Sequence, residues 1–161
     1  SVVIGQRLTY GHVAPFFGRD TPVPQDERFF LGGAASLRGY PANSLGPLRA
    51  GDPSGGELLA NYSFELRYPL IPGLNLQGAT FFDAGLLADC FSDGPDPQRV
   101  GCWSDVIDSP RPRESLRLAA GIGLRYIVAD QIPLLLDYGL ALDRLPNESL
   151  GSLHFNLGYT F

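Results

Sequence analysis

Residues 115–128 read SLRLAAGIGLRYIV, and almost every second residue in this stretch is apolar and large. The even positions carry Leu, Leu, Ala, Ile, Leu, Tyr and Val, whereas the odd positions include two Arg and two Gly. Successive side chains of a β-strand point to opposite faces of the sheet. The alternation therefore predicts a strand with one apolar face and one face of charged and small residues.

The same alternation recurs along the chain and predicts an all-β fold of six long antiparallel strands. The first is the weakest, because Gln6 and His12 fall on its otherwise apolar face. Strands in soluble sheets usually have about 5–6 residues, whereas a tilted membrane-crossing strand needs about 9–11. The length therefore favours membrane-spanning strands. The other segments are 57–70, 73–88, 132–143 and 152–161, with the first at 2–13.

The connections between these segments alternate between long and short. Residues 14–56 and 89–114 form long loops, whereas residues 71–72 and 129–131 form tight turns, and residues 144–151 are intermediate. Transmembrane barrels have long extracellular loops and short periplasmic turns. A soluble β-sandwich also gives alternation, but aromatic residues on the apolar face cluster at the short-turn end, as an interfacial girdle does. These residues are Tyr68, Tyr126, Tyr159 and Phe161.

Composition excludes several function classes. The chain of 161 residues has a net charge of −5, and all of its positive side chains are Arg, which makes it a poor partner for nucleic acid. No uninterrupted apolar run reaches the length of a transmembrane helix. His12 and His154 have no Cys, Glu or His at metal-ligand spacing, and there is no Gly-x-Ser-x-Gly motif. We expect no enzyme activity, no metal and no cofactor.

Six strands cannot close a barrel alone, because known membrane barrels have at least about eight. Unpaired backbone groups at an open sheet edge are not tolerated in lipid. We therefore expect the remaining strands to come from the same longer protein or from other chains.

Four elements, in order along the chain, suggest a family. The long first loop contains FLGGAASLRGY at 30–40, and FFDAG follows at 81–85. Residues 115–143 form a hairpin pattern, and the chain ends with FNLGYTF at 155–161. Together these resemble the outer-membrane barrels of the BamA/TamA type, a superfamily that inserts or translocates proteins. The resemblance implies the last six strands of a sixteen-stranded barrel, in the outer membrane of a Gram-negative bacterium or a derived organelle.

The resemblance also implies which residues matter. The resemblance implies that Arg38 of the long loop pairs with Asp83, and we add Glu65 as a second carboxylate that accepts a hydrogen bond from Arg38. Alternation places Asp83 on the polar face of its strand. If the loop folds into the barrel, the guanidinium of Arg38 needs a carboxylate as its partner on that face. Arg38 could instead be a solvated loop residue, with Asp83 merely facing the lumen. The implied loop motif is Gly32, Gly33, Leu37, Arg38, Gly39 and Tyr40.

By the same comparison, residues 151–161 would form the near side of a seam between the first and last strands. A client strand would pair there through main-chain hydrogen bonds. The implied partners are the lipid bilayer and client outer-membrane or secreted polypeptides. The alternatives are a passive pore or structural barrel, and an anchor or secretion barrel for an attached domain. The residues of the seam and C-terminal signal are Phe155, Leu157, Tyr159 and Phe161.

Cys90 and Cys102 lie in the second long loop. An extracellular loop is in an oxidising environment, which permits a disulfide. Two free thiols are the alternative.

Overall fold

The computed structural model describes residues 1–16, 23–71, 73–89, 116–128 and 132–158. Within these ranges the chain forms a six-stranded antiparallel sheet. The six strands that alternation predicts are therefore confirmed. Their bounds are Val3–His12 (β1), Leu58–Ile71 (β4), Leu76–Ala88 (β5), Arg117–Val128 (β6), Ile132–Ala141 (β7) and Gly151–Leu157 (β8).

The pairing follows the chain order, except that β4 pairs with β1 across the long loop. The β4–β5 ladder runs from Leu58 opposite Ala88 to Ile71 opposite Leu76. Among the described residues, no helix is both long and apolar enough to cross a membrane.

The two faces of the sheet differ as the alternation predicts, with the apolar side chains on the more exposed face. Ile122, Leu136 and Phe155 are exposed there, whereas Asp83 and Arg125 on the opposite face are buried. A soluble sandwich packs its apolar rows inside. Here the charged face is the covered one, and we term it the inner face.

The long loop between β1 and β4 covers the inner face. Its described residues include a 3₁₀ turn, Gln25–Glu27, and a short hairpin of β2 (Leu48–Arg49) and β3 (Asp52–Pro53), which the sequence did not predict. Bridges between Phe29 and Gly56 and between Leu31 and Leu45 close the loop on itself. The main apolar cluster lies between this loop and the strands; its buried members are Leu31, Leu37, Tyr40, Leu45, Leu87, Ala119 and Ala141.

Candidate functional site

The tip of the long loop, residues 37–40, is shaped by a glycine pair. Gly32 and Gly33 have φ values of 110° and 98°, a region that L side chains rarely adopt. The Gly33 N–H donates to the carbonyls of Leu37 and Tyr40, at 3.2 Å and 3.1 Å. A Cβ at Gly32 would also collide with the Pro41 carbonyl oxygen. The glycine pair therefore allows the tight loop that presents Arg38.

Arg38 lies buried on the inner face and is held by two carboxylates. Its Nε and Nη2 each donate to an Asp83 oxygen at 2.8 Å, and its Nη1 donates to Glu65 Oε2 at 2.5 Å. The Arg38 backbone N–H also donates to Asp83, at 3.1 Å. The guanidinium lies over the Phe81 ring, 3.6 Å from its centroid. The structure thus brings Arg38, Asp83 and Glu65 together.

The electrostatics of this contact keep Arg38 charged. Burial by itself lowers the pKa of a guanidinium, because it disfavours the charged form. The hydrogen bonds and negative charges of Asp83 and Glu65 outweigh that effect and raise the pKa of Arg38 above its ordinary value. Arg38 is therefore a permanent cation on a surface that supplies its counter-charges.

A second arginine extends the network across the strands. Arg125 on β6 donates to both Glu65 oxygens, at 3.1 Å and 2.8 Å, and to both Asp137 oxygens on β7, at 2.6 Å and 3.1 Å. Arg67 donates to Glu65 at 2.7 Å, and Arg38 lies 3.6 Å from Asp137. We define the Arg38 network as Arg38, Arg67, Arg125, Glu65, Asp83 and Asp137.

The remainder of the tip is seated on small residues of β6 and β7. Gly39 has a φ of 99°, and a Cβ there would lie 3.1 Å from both Ala119 and Leu140. A Cβ at Gly139 would collide with the Gly39 nitrogen. The missing side chains therefore leave the space that the tip occupies.

Tyr40 attaches the tip to the segment that follows β7. Its hydroxyl donates to Asp143 Oδ1 at 2.5 Å and lies 3.3 Å from the Leu118 carbonyl. The Arg117 guanidinium lies 5.1 Å from the centroid of the Tyr40 ring and is paired with Glu148. Burial and the bond to Asp143 raise the pKa of Tyr40 to about 12, so the phenol stays protonated and donates.

A separate cluster fixes the base of the loop. Arg28 Nη1 donates to Asp89 Oδ1 at 2.8 Å, and its Nη2 lies 3.4 Å from Glu57 Oε1. Arg28 Nε donates to the Val23 carbonyl at 2.9 Å. Glu57 precedes β4 and Asp89 follows β5, so Arg28 joins the loop to the ends of two neighbouring strands.

Of the predicted seam residues, the two that the structure describes lie on the face of β8 opposite the one that the tip contacts. Phe155 and Leu157 are 63% and 61% exposed on the outer face of β8. Tyr159 and Phe161, as well as Cys90 and Cys102, lie outside the described residues, so the predicted disulfide stays a prediction. No group of three His, Cys, Asp or Glu in the described ranges is placed to hold a metal ion.

Alternation alone places Asp137 and Arg125 on the inner face without indicating a partner, and the sequence assigns no role to Arg28 and only excludes metal-ligand spacing for His154. Gly121 on β6 and Gly139 on β7 lie opposite each other, and two paired glycines in strands indicate space where another segment can pack closely. The sequence contains no comparable indication for Arg28, because an aperiodic loop does not show which strand ends its side chains contact.

Comparison with known proteins gives consistent results along the chain. The Omp85 superfamily domain matches residues 1–161. The outer membrane protein assembly factor BamA of Neisseria meningitidis is 28% identical over 92% of the chain, and BamA of Nitratidesulfovibrio vulgaris is 29% identical over 86%. The matches cover 20% and 16% of these proteins, so the chain spans about a fifth or less of their length.

Two further likenesses extend this set. A SAM50-like protein of Schizosaccharomyces pombe is 30% identical over 62% of the chain. The crystal structure of BamA from Haemophilus ducreyi lacking POTRA domains 1–3 superposes with a TM-score of 0.69. That match covers 96% of this chain and 30% of the other at 22% identity, and it establishes the likeness of fold.

Proposed function

The chain belongs to the Omp85 superfamily, and from this membership we propose that it forms six strands of an outer-membrane β-barrel that assembles or translocates other proteins. The fold and the outer-membrane location follow from the family. The activity is the proposal, because the chain spans about a fifth of the assembly factors that it resembles. In this reading the exposed apolar rows contact lipid, and the inner face lines the lumen.

The observation that carries the proposal is the reach of the loop tip across the strands. Arg38 contacts Glu65 on β4, Asp83 on β5 and Asp137 on β7. The adjoining residues of the tip contact β6 and β8. A loop held by five consecutive strands sets their relative position from inside the lumen. Such an arrangement suits a barrel whose wall must stay assembled while one edge is engaged.

That edge is β8, which ends the strand order of the described sheet. A strand at a sheet edge presents backbone N–H and C=O groups that a further strand can pair with. In lipid such groups have no water to bond, so pairing with an incoming strand is strongly favoured. We propose that a client strand adds to β8 there, with Phe155 and Leu157 on the lipid-facing side.

The experiment places a photo-crosslinking amino acid on the outer face of the full natural protein during assembly of a radiolabelled client barrel. Leu153 on β8 is the test position, and Leu124 on the central strand β6 is the matched control, because both are exposed on the same face. We expect client adducts from position 153 and few from position 124.

Equal adducts from both positions would overturn the edge-pairing mechanism. The activity itself is tested separately, by insertion of an unfolded client barrel into liposomes that contain the protein. Liposomes that conduct ions but do not accelerate insertion would identify a passive pore instead.

A further inference from the structure

The loop tip also contacts the edge strand. The Gly39 N–H donates to Nε2 of His154 on β8, at 3.2 Å. His154 is half-buried on the inner face and lies opposite Asp137 in the β7–β8 register. A neutral imidazole that carries its proton on Nδ1 accepts at Nε2. The contact joins the backbone of the tip directly to a side chain of β8.

The backbone of β7 brings the tip close enough for this bond. Gly139 is buried, and a Cβ there would lie 2.8 Å from the Arg38 carbonyl carbon and would collide with the Gly39 nitrogen. Gly139 pairs with Ser152, two residues before His154. The tip therefore lies across the β7–β8 ladder and touches both strands.

A second set of contacts holds the segment that leads into β8. Tyr40 donates to Asp143, and Arg117 pairs with Glu148 while lying against the Tyr40 ring. Asp143 and Glu148 both belong to the connection between β7 and β8. The approach to β8 is thus attached to the same loop tip as the strand itself.

Within the described part of the sheet, β7 is the neighbouring strand that pairs with β8. β8 is 7 residues long, and its ladder to β7 runs from Leu140 opposite Gly151 to Leu134 opposite Leu157. Short strands at a sheet edge open locally at a small free-energy cost, so one added hydrogen bond changes the open fraction measurably.

We propose that His154 is a positioning residue that fixes β8 to the loop tip, so that withdrawal of the loop loosens the edge strand. The inference rests on the proposed function only in identifying β8 as the strand at which a client pairs. The link between loop and strand is a property of the barrel without a client.

The test is hydrogen–deuterium exchange of the full natural protein in lipid nanodiscs, without a client. His154→Leu keeps most of the side-chain volume and removes the acceptor, whereas His154→Gln supplies an amide oxygen in its place. Ser152→Ala, two residues away on the same face, is the matched control. A net hydrogen bond of ordinary strength corresponds to exchange roughly 2- to 10-fold faster when it is lost.

We expect this acceleration in the amides of residues 151–157 for His154→Leu. His154→Gln and Ser152→Ala should stay near the wild-type rate, and residues 58–71 should be unchanged. Exchange in His154→Leu no faster than in Ser152→Ala overturns the proposal. So does exchange in His154→Gln as fast as in His154→Leu, because an acceptor would then be irrelevant.

A measurement on the unmodified protein covers the case in which His154→Leu does not fold. If the loop tip and β8 separate in a single local unfolding event, the Gly39 amide is protected from exchange to the same degree as the amides of β8. A Gly39 amide that exchanges at the unprotected rate contradicts the link. Because no client is present, either result is independent of whether the barrel assembles proteins.

Discussion

Arg38 and Arg125 share one oxygen of Glu65, with Arg38 Nη1 at 2.5 Å and Arg125 Nη2 at 2.8 Å from Oε2. One guanidinium comes from the loop and the other from the wall, so a single carboxylate joins two elements that are distant in sequence. The carboxylate is fully buried. Its charge is therefore poorly screened and matters to both arginines at once.

Replacement of Glu65 by Gln is expected to destabilise the barrel and release the loop. Removal of one partner of a buried ion pair costs about 3–5 kcal/mol, because the remaining charge stays buried. The measurement is the urea midpoint of the folded, heat-modifiable form of the full protein. Glu27→Gln, in the exposed 3₁₀ turn, is the control and should leave the midpoint unchanged.

Exchange of the charges of Arg38 and Asp83 separates pairing from simple residue loss. Arg38→Asp and Asp83→Arg should each impair the proposed client insertion, because each leaves like charges facing each other on the inner face. The double variant should recover only part of the activity, since an Asp at position 38 faces Glu65 and Asp137. A double variant no better than either single variant would contradict direct pairing.

Replacement of Arg28 by Met is expected to open the base of the loop while the tip stays seated. Asp89 and Glu57 lose the guanidinium that lies between them, and the tip keeps its own network. Limited proteolysis should then cut near the 3₁₀ turn at least several-fold faster. Arg49→Met, in the exposed β2–β3 hairpin, is the control. An equal increase in hydrogen exchange at residues 37–40 would show that base and tip open together.

Tyr40 gives the barrel a stability component that is lost at high pH. Its pKa is raised from the ordinary 10.0 to about 12, so the folded state retains the proton to higher pH than the unfolded state. The contribution is complete below about pH 10 and disappears as the pH rises to about 12. Tyr40→Phe should abolish this part of the pH dependence and cost about 1.5–3 kcal/mol at neutral pH, as expected for a bond to a charged acceptor.

The matched control for this titration is Tyr126→Phe on the exposed outer face. Thermal unfolding in detergent across this alkaline range provides the measurement. A wild-type protein whose loss of stability between pH 10 and 12 equals that of Tyr40→Phe would contradict the assignment.

Most of the six-stranded sheet could be predicted from sequence, because alternation is a local property of each strand. Residues 115–128 indicate their inward and outward faces without knowledge of any partner. The pairing of Arg125 could not be predicted in this way. Arg125 lies opposite Leu135 in the β6–β7 register and reaches diagonally to Asp137, so its partner depends on a register that turn geometry sets.

The loop shows the same division. The family resemblance indicates the glycine pair, Arg38 and its pairing with Asp83, and alternation independently places Asp83 on the polar face. The contact of Gly39 with His154 depends on how deeply the loop enters, which the space at Gly139 decides. The depth of the loop depends on how the strands are assembled, so it cannot be predicted from any one segment of the sequence.

The charge balance of the Arg38 network would change if the loop left the lumen. Within the described residues, the network contains three guanidiniums and three carboxylates, and Arg38 is the only one of the six that belongs to the loop. Departure of the loop therefore turns a neutral patch into an anionic one with a charge of −1. This anionic patch would attract a basic side chain of a polypeptide that enters the lumen. After that polypeptide has left, the same attraction would favour the return of Arg38.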